Sequence, residues 1–109
     1  MTPYHIHLDS LEDVKEVLIQ YCDYLIYDYP CVLIVANEFS LDTLKPNIDF
    51  MRVKYFRVGN ADAIDSLFCG SHYDFVFVCG FDLLTFTQQQ EIKMYVAIAQ
   101  SGILLIDIN

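Results

Sequence analysis

The first clear pattern along the chain is an alternation: in YHIHL, residues 4–8, every second side chain would point to one face of an extended strand. Asp9 or Ser10 then offers a side-chain oxygen to the free N–H groups of a following helix, with Asp13 three residues after Ser10. From there the period changes. Leu11, Val14, Leu18, Tyr21, Cys22 and Leu25 recur at three- and four-residue steps and predict an amphipathic helix, with Glu12, Glu16, Gln20 and Asp23 largely turned away and Pro30 closing it. CVLIVAN, beginning at Cys31, is a continuous apolar run rich in β-branched residues. Its lack of polar alternation predicts a strand covered on both faces. YDFVFVCG and SGILLIDI repeat that pattern. Between these runs, residues 40–44 read as a short helix stopped near Pro46, residues 53–58 as a strand ending at Gly59-Asn60, and residues 61–68 as a helix closed by Cys69-Gly70. Thr85 or Thr87 caps a last helix that runs to about Gln100 and is ended by Gly102.

Strands alternating with helices at this spacing call for right-handed crossovers, which predicts an α/β fold: a three-layer α/β/α sandwich with a mostly parallel sheet of four or five strands, Rossmann-like or flavodoxin-like. The length of 109 residues suits one domain spanning residues 1–109. Apolar residues make up 55% of the chain, against about 45–50% in an average soluble domain. The surplus, which includes eight Tyr and eight Phe, predicts a substantial core and some apolar surface left for a partner to cover. No apolar run reaches the roughly 18 residues that a membrane helix needs, and MTPYHIHLDSLEDV has neither a basic nor an apolar leader region. A cytoplasmic protein with no membrane partner is expected.

Fifteen acids against six bases give a net charge of −9, which repels phosphate backbones and disfavours direct nucleic-acid binding. The bases are segregated: Lys45, Arg52, Lys54 and Arg57 lie within thirteen residues, which predicts a dipolar surface. Cys22, Cys31, Cys69 and Cys79 show no metal-type spacing and sit in or beside apolar runs, where a thiol behaves as a small buried hydrophobe in a reducing compartment.

Ligands of parallel α/β sheets bind beyond the C-terminal ends of the strands, so the residues there carry the chemistry. They read Ala36-Asn37-Glu38, Gly59-Asn60-Ala61-Asp62, Gly80-Phe81-Asp82 and Asp107-Ile108-Asn109. No glycine-rich phosphate loop is among them, so no nucleotide cofactor is expected. Glu38, Asp62, Asp82 and Asp107 could converge at this edge as a metal site or acid/base pair, although such residues are more often helix caps and loop acids. His5 and His7 share one strand face and could ligate a metal with His72 as a distant third ligand. Nothing acidic or thiol-bearing is placed by local spacing to complete that set, so the two histidines read as ordinary strand residues and no metal is expected.

Short stretches of the chain resemble three known families. VLIVANEFSLDTL and YDFVFVCG are similar to a response-regulator receiver domain, but its metal-binding acid pair would fall at Ala36 and Asn37 and its phospho-accepting Asp at Cys79. VGNADAIDSL, YDFVFV and SGILLIDI resemble the later strands of S-adenosylmethionine-dependent methyltransferases, whose glycine-rich first loop has no counterpart in YHIHLDSLED. Across residues 32–82, VLIVANEFSLDTL, FRVGNADAIDSL and GSHYDF resemble in order and spacing the psi accessory subunit of bacterial DNA polymerase III, a small α/β protein that joins the chi subunit to the clamp loader. That family commonly carries tryptophans and this chain has none, and its interface residues do not transfer to particular positions here.

The function expected from these features is a non-catalytic protein–protein interaction module, a psi-like accessory subunit of a replication assembly, with another protein as partner. The alternatives are an acidic inhibitor or immunity-type protein facing a basic partner, and a degenerate receiver-like or methyltransferase-like domain with a strand-end ligand site. The expected partner surface lies in YCDYLIYDY, where a helix that buries Leu18, Tyr21, Cys22 and Leu25 would turn Tyr24 and Tyr27 outward beside Asp23 and Asp28.

Overall fold

A computed structural model describes residues 4–25, 31–39, 54–59 and 62–109, the side chains of residues 21–25 excepted. In chain order the elements are β1 (Tyr4–Leu8), α1 (Leu11–Leu25), β2 (Cys31–Ala36), β3 (Lys54–Val58), α2 (Asp65–Phe68), β4 (Phe75–Cys79), a single 3₁₀ turn (Phe81–Leu83), α3 (Phe86–Ala99) and β5 (Gly102–Ile108). All five strands run parallel in the order β1-β5-β4-β2-β3. The expected α/β class is present, and the mostly parallel sheet of four or five strands is an all-parallel sheet of five.

Every residue of β2 is buried, as is every residue of β5 from Gly102 to Asp107, so the interior strands are covered on both faces. This is the physical content of their unbroken apolar runs: Val32, Ile34, Val76, Phe77, Val78 and Ile106 are wholly enclosed. The last strand is an interior one, held between β1 and β4, while β1 and β3 are the two edges of the sheet among the described residues. β1 is largely exposed, which matches its alternating sequence.

Helix starts follow their capping residues. The Ser10 hydroxyl accepts from Asp13 N–H at 3.3 Å ahead of α1, and Val14 and Leu18 of that helix are buried. Thr85 caps α3 in a full capping box, accepting from Gln88 N–H while the Gln88 side-chain oxygen accepts from Thr85 N–H. Three expectations need correction. The helix expected over residues 61–68 begins only at Asp65, because the Asp62 carboxylate accepts Gly59 N–H at 2.9 Å and closes a local turn that competes with helix. The end of α3 is made by Gln100 in the left-handed conformation and not by Gly102. Gly102 instead opens β5 where the Phe75 ring lies so close that a Cβ would come within 2.5 Å of its Cδ2. Cys69 is exposed at the end of α2, whereas Cys31 and Cys79 are the buried small hydrophobes expected. The helix expected over residues 40–44 lies outside the described residues.

Candidate metal centre at the strand ends

Because all five strands run parallel, their C-terminal ends lie on one rim, and the strand order decides which side chains meet there. β1 pairs with β5 so that His5 stands opposite Leu105 and His7 opposite Asp107. β4 lies on the other flank of β5, and its turn Gly80-Phe81-Asp82 folds back over the rim. Two histidines from the edge strand and two aspartates from the ends of β4 and β5 are thereby gathered: His5, His7, Asp82 and Asp107 each offer a ligand atom, all within 4.8 Å of one another.

The separations within this group have the scale of a shared ion. His5 Nε2 is 2.6 Å from Asp107 Oδ2, His7 Nε2 is 3.5 Å from Asp82 Oδ2, and His5 Nε2 is 4.0 Å from Asp82 Oδ1. Tetrahedral coordination with bonds of about 2.0–2.1 Å spaces ligand atoms about 3.3 Å apart, so sub-ångström to one-ångström side-chain shifts close the set around one ion. His5 Nε2 and Asp107 Oδ2 are within hydrogen-bond distance of each other.

Asp107 anchors the acidic half of the group, whereas the Asp82 side chain is 59% exposed. Asp107 is 4% exposed, and its second oxygen, Oδ1, accepts Asp82 N–H at 3.0 Å. One carboxylate thus reaches His5 with one oxygen and holds the turn carrying Asp82 with the other. That turn is clamped further. Gly80 adopts φ +78° and donates its N–H to Ile106 O at 2.8 Å, and a Cβ there would stand 3.0 Å from both Ala36 and Phe39. Gln89 Nε2 donates to Phe81 O at 2.9 Å, and the Phe81 and His5 rings meet in a T-shaped contact with centroids 5.7 Å apart. The two histidine rings stack at 4.6 Å. They are partly exposed, with side-chain accessibilities of 32% for His5 and 46% for His7, so the ligand face stays open to incoming ions.

Beside the cluster lies a cleft of about 300 Å³ that shares Asp82 and Asp107 with it. Its remaining walls are Leu11, Leu83 and Ile108, with Phe39 and Glu38 on the turn after β2. Arg57 fixes that turn, donating to Asn37 O at 2.7 Å and to Phe39 O at 3.3 Å. One member of the basic segment is therefore spent on internal carbonyls at the cleft wall.

Of the four carboxylates expected to converge, Asp82 and Asp107 do so, and Glu38 reaches the cleft. Asp62 does not: it follows β3 at the opposite edge of the sheet and is bound to Gly59. His72 precedes β4, at the N-terminal end of the strands, where it pairs with Asp74 at 2.8 Å. It cannot serve the cluster. The acids that local spacing does not supply to His5 and His7 are brought beside them by the same topology, from residues 82 and 107. Of the expected partner surface, Asp23 and Tyr24 belong to the last turn of α1, with side chains outside the described set, and Tyr27 and Asp28 lie outside the described residues. Comparison with protein-family models, curated proteins and solved structures gives no match.

Proposed function

We propose that this domain is a metal-dependent ligand-binding domain whose divalent transition-metal ion is held by His5, His7, Asp82 and Asp107 at the C-terminal rim of the sheet. The observation that carries the reading is the convergence of two imidazoles from β1 and two carboxylates, from the turn after β4 and from β5, within 4.8 Å of one another. The donor chemistry is apt. Neutral imidazole and carboxylate suit borderline ions such as Zn²⁺, Co²⁺ and Fe²⁺, and two aspartates neutralise a dication. The position is the rim where parallel α/β sheets place their ligands, and the chain's net charge of −9 favours cation capture. Isothermal titration of the chelator-treated protein with Zn²⁺ tests it: one ion per chain is expected, with binding lost in the His7→Ala/Asp82→Asn double variant. Equal binding by parent and variant would place the ion elsewhere.

A second reading, the protein–protein interaction module, has its own support in α3. Phe86, Met94 and Ile98 are 74%, 48% and 73% exposed, and Met94 and Ile98, four residues apart, are neighbours on the helix surface. A psi-like accessory subunit is the specific form of this reading, resting on the stretches within residues 32–82. Mixing the protein with bacterial chi subunit and clamp loader in size-exclusion chromatography tests that form directly. Co-elution lost on Phe86→Ser/Ile98→Ser supports it, and separate elution of the parent rejects it.

A further inference from the structure

We propose that the ion is a closed strand clamp, its four protein donors joining β1 to β5 and to the turn after β4. Metal supply then governs whether the N-terminal strand stays paired with β5. This inference rests on the metal reading above.

β1 is the most weakly held of the described strands. None of its five residues is buried, whereas all six of β2, four of the five in β4 and six of the seven in β5 are. Even β3, at the other edge, buries Val58. The apolar anchors of β1, Ile6 and Leu8, are only partly buried against the core, and among the described residues its ladder partner is β5 alone. A strand with so little buried apolar area opens locally at a lower free energy than the whole domain unfolds.

The apolar pattern of β1 does not fix its register either. Tyr4, Ile6 and Leu8 share one face and His5 and His7 the other, so a slip of one residue exchanges the faces but a slip of two restores them. The donor set distinguishes the two. In the observed register His7 stands opposite Asp107 and His5 opposite Leu105, which places both imidazoles on the face of the Asp107 carboxylate. A two-residue slip moves each imidazole about 6.6 Å along the sheet. That exceeds the 4.8 Å within which all four donor atoms lie, so only the observed register completes the set. Opening β1 withdraws both imidazoles together and leaves two aspartates, so loss of the strand is loss of the ion, and binding is linked to strand docking. Four protein donors fill a tetrahedral sphere, as in structural sites. The ion therefore acts on the neighbouring cleft by holding Asp82 and Leu83 in its wall, not by coordinating what enters it.

Hydrogen–deuterium exchange of the full chain tests the clamp, with bound ions counted by native mass spectrometry of the same samples. In chelator, the amides of β1 should exchange at least about tenfold faster than those of β4. Zn²⁺ at about one hundred times its Kd should slow β1 at least about tenfold, while β3, whose local opening leaves all four donors in place, should change less than about twofold. The His7→Ala/Asp82→Asn double variant, altered at two partly exposed side chains, should show no Zn²⁺ effect on β1. β1 exchange as slow as that of β4 in chelator, equal slowing of β1 and β3, or a variant that responds like the parent would overturn the clamp. One bound ion with β1 exchange unmoved would overturn the clamp and leave the metal centre standing, whereas no bound ion would overturn both. In the Co²⁺-loaded chain, azide should leave the visible bands unmoved; shifted bands would reveal an open coordination position and overturn the closed sphere.

Discussion

Replacing Asp107 by Asn separates the structural work of that side chain from its work as a ligand. The amide is isosteric, and its oxygen can still accept the Asp82 N–H that Asp107 Oδ1 accepts at 3.0 Å. The change removes the negative charge facing His5 at 2.6 Å, so without metal it should cost about 1–2 kcal/mol, the loss of charge assistance in one nearly buried hydrogen bond. With metal the consequence is larger. At an ion concentration one hundred times the parent's Kd, binding stabilises the folded state by about 2.7 kcal/mol. An unfolding entropy of about 2.1 cal/mol/K per residue gives the 109-residue chain about 0.23 kcal/mol/K, so the parent's Tm should rise by about 12 °C. If losing one anionic ligand weakens affinity about a hundredfold, the same ion concentration equals the variant's Kd. The gain then falls to about 0.4 kcal/mol, or about 2 °C. Differential scanning calorimetry of both proteins with chelator and with Zn²⁺ measures each against itself, which cancels the metal-free cost. A parent whose Tm does not respond to Zn²⁺, or an Asp107→Asn variant that gains as much as the parent, refutes the argument.

Other outcomes follow from packing and from thiol environment. Val78→Ala, at a wholly enclosed position of β4, should lose about 1–3 kcal/mol in urea unfolding, and a change of a few tenths would mean the strand is not packed as described. Gly102→Ala places a methyl group 2.5 Å from Phe75 Cδ2 and should destabilise by about 1–3 kcal/mol, with Phe75→Leu recovering part of the loss in the double variant; additive losses would deny the contact. Burial, reinforced by the charge of Asp74, raises the Cys31 thiol above its ordinary range, so iodoacetamide at pH 8.5 should label exposed Cys69 well before Cys31 by peptide mass spectrometry. The sign for stability follows: a thiol pKa higher in the folded than the unfolded chain favours folding less as pH rises past the ordinary thiol range. Faster labelling of Cys31 than of Cys69 would contradict this.

The chain's local patterns determined the elements and their class. β2, β4 and β5 were legible because unbroken β-branched and apolar runs tolerate only a doubly covered strand, and α3 because Thr85 or Thr87 offered a cap ahead of it, the structure choosing Thr85. Where a side chain competes with the backbone over a few residues, as Asp62 does at Gly59, propensity alone placed the helix boundary wrongly. Gly102 reads as a helix stop by composition, but its need for a missing Cβ comes from Phe75, twenty-seven residues away, and becomes visible only in space.

The candidate site shows the same division more sharply. His5 and His7 were recognisable as a pair on one strand face, and Asp82 and Asp107 as strand-end acids, yet nothing in the spacing joined the two pairs. Strand order did that. In a flavodoxin-type order, 2-1-3-4-5, β5 would occupy an edge apart from β1, and Asp107 would stand far from both histidines. Here β1 is the edge strand and β5 its neighbour, an arrangement fixed by the net free energy of packing whole strands and crossovers, not by any local interaction. Residue types and periods therefore determined which groups were available for chemistry, and tertiary topology alone decided which of them share a site, because that choice depends on contacts about a hundred residues apart in the chain.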